Sequence, residues 1–199
     1  MLCACGGRKA TDDGSVESYW ADFSSPEEMN NWKCYDSGKW EIRDGWLVCD
    51  ARQTSSTRSI LWLSRILPPS VQLEFEAECL DKPGEILCFL GGDGQSYSGY
   101  EITVGGQGNK RVAVYKSAKD GDESAHERLG RENFKLDRER AYAIKLRKYR
   151  GSFRVYVNGD LLVSVSDEKP IEDSAHRYFG FSTVGNLVRF DNLKIERKF

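Results

Sequence analysis

The chain of 199 residues is poor in the residues that most catalytic centres draw on. It has two histidines, His126 and His176, far apart and never in a His-x-x-x-His pair, so no zinc-peptidase helix is written here. Six cysteines, at 3, 5, 34, 49, 79 and 88, nowhere take the Cys-x-x-Cys spacing of a structural zinc site or a redox pair. There is no nucleophile elbow. No apolar run approaches the ~20 residues of a membrane helix. Neither sign of charge dominates: 29 Lys and Arg face 31 Asp and Glu, interspersed, which excludes an electrostatic footprint for nucleic acid or an anionic membrane. Gly105-Gly106-Gln107-Gly108-Asn109-Lys110 has the look of a phosphate loop. It lacks the Lys-Ser/Thr ending, however, and joins two predicted strands, so it is read as a wide hairpin turn, and no organic cofactor is expected.

What is present is aromatic and alternating. Five Trp, nine Tyr and nine Phe, with 39% hydrophobic residues overall, give enough apolar mass for one domain-sized core. Residues 1–18 are polar and aperiodic and read as a leader or tether; the domain is expected over 19–199. Ser25-Pro26-Glu27-Glu28 signals one short helix, with Ser at the N-cap and Pro in its first turn. Nearly everything after it has period two. Trp40 and Ile42 lead through Asp44-Gly45 into Trp46–Cys49, and Leu73, Phe75 and Ala77 alternate with Glu74, Glu76 and Glu78. Tyr100, Ile102 and Val104 alternate with Glu101 and Thr103, and Phe153–Val157 meets Leu161–Val165 across Asn158-Gly159, a strong hairpin signal. About eleven or twelve strands result by these rules. The fold class is all-β, an antiparallel two-sheet sandwich.

Two departures are informative. The apolar phase of the last strand switches at Asp191-Asn192, which predicts a β-bulge. Residues 117–133 are highly charged without strand periodicity and read as a long loop. Cys79 and Cys88 flank Lys82-Pro83-Gly84-Glu85; a hairpin there would set them opposite each other, as a disulfide or as two buried thiols.

Two sets of residues carry candidate chemistry. Glu74, Glu76 and Glu78 project from one strand face, about 6–7 Å apart between alternate positions. That spacing approaches the pair of carboxylates about 5–5.5 Å apart that a retaining glycosidase needs. The same comb also fits a solvated face paired with Lys145, Arg147 and Arg154. Glu101 lies on the polar side of the central strand, suited to a sugar hydroxyl or to acid–base work, and equally to an ordinary surface carboxylate. Phe89 and Tyr115 fall in the phase opposite Cys88 and Val114, so they face outward unless those strands are buried on both sides.

Several segments, in order, resemble the concanavalin A-like lectin/glucanase jelly rolls. They are Gly38-Lys39-Trp40-Glu41-Ile42-Arg43-Asp44-Gly45-Trp46-Leu47-Val48, Ser98–Val104, Val155-Tyr156-Val157-Asn158-Gly159, and Gly180-Phe181-Ser182 followed by Val188-Arg189-Phe190-Asp191-Asn192-Leu193. Within that superfamily the chain is most similar to the 3-keto-disaccharide hydrolase domain and to carbohydrate-binding modules. The resemblance implies a jelly roll that recognises an oligo- or polysaccharide on its concave sheet, with Glu74, Glu101, Phe89 and Tyr115 as binding residues. The alternatives are a glycoside hydrolase, with Glu76 and Glu101 catalytic, and a structural or adhesion sandwich. It also implies one structural calcium, held by the Asp191 side chain and the Gly45 carbonyl. Leu2-Cys3-Ala4-Cys5-Gly6-Gly7 resembles the cleavage end of a bacterial lipoprotein signal, which implies a secreted, periplasmic or lipid-anchored protein.

Overall fold

A computed structural model of the chain describes residues 14–36, 38–52, 58–81, 84–117 and 126–198. The expectations resting on Cys3 and Cys5 lie outside the described residues. Alternation of apolar and polar side chains has the predicted consequence: two antiparallel sheets face each other.

The first sheet runs β13 (Asp160–Ser166), β12 (Ser152–Val157), β11 (Tyr142–Tyr149), β6 (Val71–Cys79), β15 (Leu187–Arg197), β4 (Trp46–Asp50), β3 (Lys39–Arg43), and β1 (Ser18–Ala21) also pairs with β15. The second sheet has seven strands: β10 (His126–Asn133), β9 (Arg111–Ser117), β8 (Gly99–Gly105), β7 (Ile86–Gly92), β14 (Tyr178–Val184), β5 (Arg58–Leu63) and β2 (Trp32–Cys34). The predicted short helix is a 3-10 helix over Pro26–Asn31, with Pro at its start and Glu27 and Glu28 in its first turn. Residues 14–18, at the end of the expected leader, are attached to the sandwich: Ser15 is buried, and the Val16 N–H donates to the Ile66 carbonyl at 3.0 Å.

The inner faces form one core. Phe75 of the first sheet meets Phe181 of the second edge-on at 5.1 Å between ring centres, and Phe181 stacks on Phe190 at 4.2 Å. Each such buried ring contributes roughly 1.5–3 kcal/mol of apolar burial. Turn chemistry sets the register. Asn158 and Gly159 both have positive φ, 52° and 91°, as a two-residue hairpin turn between right-twisted strands requires. The predicted bulge is present: pairing of β15 with β6 slips between Asp191 and Lys194, with Asn192 left-handed at φ 53°.

Two expectations are corrected. His126–Asn133, read as loop, is strand β10, paired with β9 with a slip between Arg128 and Gly130. It is an edge strand with polar residues on both faces, so no apolar alternation marks it. Cys79 and Cys88 do not face each other across a hairpin. Their strands β6 and β7 belong to opposite sheets, and both residues are buried free thiols.

Candidate functional site

Period two carries every second side chain of the seven-stranded sheet away from the core. Register then aligns them in rows. One row is Trp62, Gly180, Phe89, Glu101 and Tyr115; the next is Ile60, Ser182, Leu87, Thr103 and Ala113. Three residues singled out in the sequence, Phe89, Glu101 and Tyr115, therefore stand side by side on the outer face. Phe89 is fully buried, so β7 is covered on both sides. It packs with Ile60 and Trp62 in a second apolar cluster, separate from the main core, with Tyr97 and Tyr178 against it. Two glycines make room for the indole. A β-carbon at Gly180 would lie 2.7 Å from the Trp62 ring, and one at Gly92 would lie 2.3 Å from it.

Glu101 is 4% exposed and is ion-paired with Arg58 Nη1 across the face. The Arg58 guanidinium lies over the rings of Phe89, at 5.8 Å, and Tyr97, at 5.6 Å, so its position is fixed by packing as well as charge. The Tyr97 hydroxyl lies 2.9 Å from the Arg58 carbonyl and 3.2 Å from Asp36 Oδ2. Asp36 in turn accepts from the Ile60 N–H at 3.1 Å and from Ser59 Oγ at 2.8 Å. The support behind Arg58 is thus a continuous hydrogen-bonded set. Glu85, just before β7, has its carboxyl pushed up to about 7, by burial first and by the negative charge of Glu101 second, with Arg58 acting the other way. Thr103 Oγ1 and Glu85 Oε1 converge on Gly106, where a β-carbon would stand 2.6 Å from the first and 3.2 Å from the second.

Buried polar atoms without a hydrogen-bond partner among the described residues are Trp62 Nε1, Thr103 Oγ1, Arg111 Nε, Ser182 Oγ and Thr183 Oγ1. The first four belong to outward-facing residues of this same sheet. Each such atom costs about 1–3 kcal/mol unless something bonds it. Their concentration on one face, with an Arg–Glu ion pair and a carboxyl pushed up to about 7, makes this face the candidate site.

The other sequence candidates lie elsewhere. Glu74 and Glu76 project from the outer face of the first sheet, on the far side of the sandwich from Glu101, and cannot share a site with it. Glu74 faces Lys145 at 3.4 Å and accepts from Gln72 at 2.6 Å; Glu78 accepts from Arg189 at 2.9 and 2.6 Å. Glu74 and Glu76 do line an open depression of about 300 Å³ beside the half-exposed Trp20. Asp191 sits at the bulge with both oxygens bonded by Asn192, at 2.7 Å from its N–H and 3.2 Å from Nδ2. Gly45 is in the turn between β3 and β4. No group of three His, Cys, Asp or Glu able to hold a metal ion occurs among the described residues. Asp191 and the Gly45 carbonyl would supply two of the six to eight oxygens that calcium takes.

Arg58, Glu85, Thr103 and Ser182 were missed in the sequence. Glu85 looks like part of a turn, and Arg58 opens the run Ile60-Leu61-Trp62-Leu63, which is buried on both faces and so has no alternation. A lone Arg before such a run was the available signal. His176 was read as a surface or loop residue. It does lie in the irregular segment before β14, part-exposed, where Asp173, 2.7 Å from Nδ1, and Ser98, 2.8 Å from Nε2, tie that segment to the start of β8.

A family model described as the 3-keto-alpha-glucoside-1,2-lyase-like domain matches residues 20–196. The chain belongs to this family. No curated protein sequence matches it. Among solved structures, the carbohydrate-binding module CBM66 from Bacillus subtilis is similar at 17% identity and TM-score 0.69, over 83% of this chain and 95% of that one. A Bacillus subtilis protein of unknown function with a galectin-like fold gives 14% identity and TM-score 0.72, over 96% and 97%. The exoplasmic/lumenal domain of VIP36, in its Ca2+/Man3GlcNAc-bound form, gives 13% identity and TM-score 0.63, over 96% and 91%. At these identities the likeness establishes the fold: a concanavalin A-like jelly roll, as the sequence motifs implied. No helix among the described residues is long and apolar enough to cross a membrane.

Proposed function

We propose that this lyase-like domain takes a 3-keto-glycoside on the outer face of the seven-stranded sheet, with Glu101 and Glu85 dividing the acid–base work. The supporting observation is the set of four unpartnered polar groups around the Arg58–Glu101 pair. A sugar offers hydroxyls for the Arg58–Glu101 pair and an apolar C–H face for the part-exposed ring of Tyr115.

The family description, a 1,2-lyase of 3-keto-α-glucosides, points to an elimination across C1 and C2 that breaks the C1–O bond. The carbonyl at C3 acidifies the neighbouring C2–H. A base removes that proton, electrons move into the C1–C2 bond, and the C1–O bond breaks as the leaving oxygen gains a proton. Glu101, charged and oriented by Arg58, is the base. Glu85, its carboxyl pushed up to about 7 and so part-protonated at neutral pH, is the proton donor.

The test is release of aglycone from an aryl 3-keto-α-glucoside, with binding followed in parallel by calorimetry. Glu101→Gln and Glu85→Gln are each expected to lower turnover by about 10²–10⁴-fold while leaving binding within about an order of magnitude. Saturable binding without product from the wild type removes the lyase reading and leaves recognition alone. Neither binding nor product removes both.

A further inference from the structure

At the end of the sandwich formed by the β11–β12 turn and the segments before β6 and β14, the sheets part around a cavity of about 240 Å³. Leu67, Val71, Leu90 and Ile171 give it apolar walls, and Lys148 also lines it. On β11 the inward positions are Tyr142, Ile144 and Leu146, all in the core, and Lys148 occupies the next one. It is 7% exposed, and its ammonium makes one hydrogen bond among the described residues, to the Pro69 carbonyl at 3.3 Å. An ammonium has three N–H donors, and burying it with one long bond is costly. A Leu or Met here would simply extend the core.

The charges around this ammonium are unequal. Arg150 and Arg177 line the same cavity, and Arg177 is pinned by a bond from Nε to the Leu67 carbonyl at 2.8 Å. Of the two lining acids, Asp173 is engaged by the His176 ring at 2.7 Å and by the N–H groups of Ala175 and His176 at 2.9 and 3.0 Å. Glu172 remains. Burial draws the Lys148 pKa below its ordinary value, with Glu172 opposing that and Arg177 adding to it.

We propose that this cavity binds a small carboxylate with an apolar body, its carboxylate on Lys148 between Arg150 and Arg177 and its hydrocarbon against Leu67, Val71 and Leu90. The site is independent of the outer-face reading. Calorimetry on the full chain with hexanoate, acetate, hexanol and inorganic phosphate tests it. Hexanoate is expected to bind saturably and at least about tenfold more tightly than the other three, since only it supplies both the charge and the chain. Lys148→Met is expected to abolish hexanoate binding while raising the melting temperature, because an incompletely bonded ammonium leaves the core. Ile171→Trp, which fills the cavity and leaves Lys148 in place, is expected to block binding too, and Glu101→Gln to leave it unchanged. Hexanol binding as tightly as hexanoate, a preference for phosphate, no saturable carboxylate binding, or full affinity in Lys148→Met would each overturn the proposal.

Discussion

At the scale of single residues, the environment decides which side chains are chemically available. Glu85 is the clearest case. Its carboxyl titrates near 7 in the fold and in the ordinary carboxylate range when unfolded, so the native state holds the extra proton between those values. Stability contributed by the neutral form is therefore full below about pH 4.5 and is lost as pH rises through 7. Glu85→Gln keeps the neutral shape and is expected to flatten that decline, gaining up to about 3 kcal/mol over wild type at pH 8. Urea melts at pH 5 and pH 8 decide it; an equal decline in both proteins would falsify the assignment of the buried charge. The thiols sort by the same logic. Burial pushes Cys49 up to about 12 and Cys79 up to about 11; Cys34 is pushed up as well, by burial first, but among the described cysteines it alone is exposed to a reagent. Thiolate is the reactive form. Iodoacetamide at pH 8 is thus expected to alkylate Cys34 and spare Cys49, Cys79 and Cys88 in the folded protein, as read by peptide mass mapping. Labelling of Cys88 at the rate of Cys34 would contradict the packed core.

At the scale of strands, what could be read beforehand depended on solvent. Strands with one wet face, such as β11 and β12, announce themselves by alternation, as does β8, whose second face is polar though buried, and the Asn158-Gly159 and Asp44-Gly45 turns fix two of the hairpins. Phase gave the side of its own strand on which each of Phe89, Glu101 and Tyr115 lies, and the register sets the three in one row. β5, buried on both faces, and β10, polar on both, have no period to read, so Arg58 stayed hidden while Glu101 was visible. The division into sheets was equally opaque. Nothing local tells β6 and β7 to part rather than pair, and Glu74 was accordingly grouped with Glu101 across the thickness of the sandwich. The bulge at Asp191 was legible, but its purpose was not. Its carboxyl is pushed up by burial, then by the charges of Glu76 and Asp22, and Asn192 occupies its oxygens. Because no group of three His, Cys, Asp or Glu able to hold a metal ion stands together among the described residues, the melting temperature is expected to be the same in excess EDTA and in millimolar Ca2+. A Ca2+-dependent rise that disappears in Asp191→Asn would restore the calcium assignment.

For the molecule as a whole, the question is what locks two sheets that otherwise meet through an apolar layer able to slide. Polar ties cross them: Trp40 Nε1 of β3 donates to Ser59 Oγ of β5 at 2.7 Å, and a larger tie centres on Asp167. Asp167, which follows β13 in the first sheet, accepts from the Tyr100 hydroxyl of β8 at 2.8 Å and is ion-paired with Lys116 of β9 at 2.8 Å. Tyr100 and Lys116 both occupy inward positions of the second sheet, and the Tyr100 hydroxyl also accepts from the Ile171 N–H at 2.8 Å. Burial alone would raise the Asp167 carboxyl; the bonds from Lys116, from the Lys169 N–H and from Tyr100 outweigh it and hold the pKa below the ordinary carboxylate value. The tie therefore stabilises the fold at neutral pH and is lost as pH falls below about 4, where the carboxyl of the unfolded chain takes up its proton. Asp167→Ala leaves Lys116 buried without its partner. The expected loss is about 3 kcal/mol at pH 7, or roughly 6–12 °C in melting temperature for a chain of this size. Lys116→Met, which replaces the cation by an apolar chain of similar length, is expected to cost as much, because it strands the carboxylate instead. Melts at pH 7 and pH 3 measure both effects, and the gap between wild type and either variant should close at the lower pH. If Asp167→Ala costs less than about 1 kcal/mol at pH 7, the value of a surface pair, this tie does not lock the two sheets.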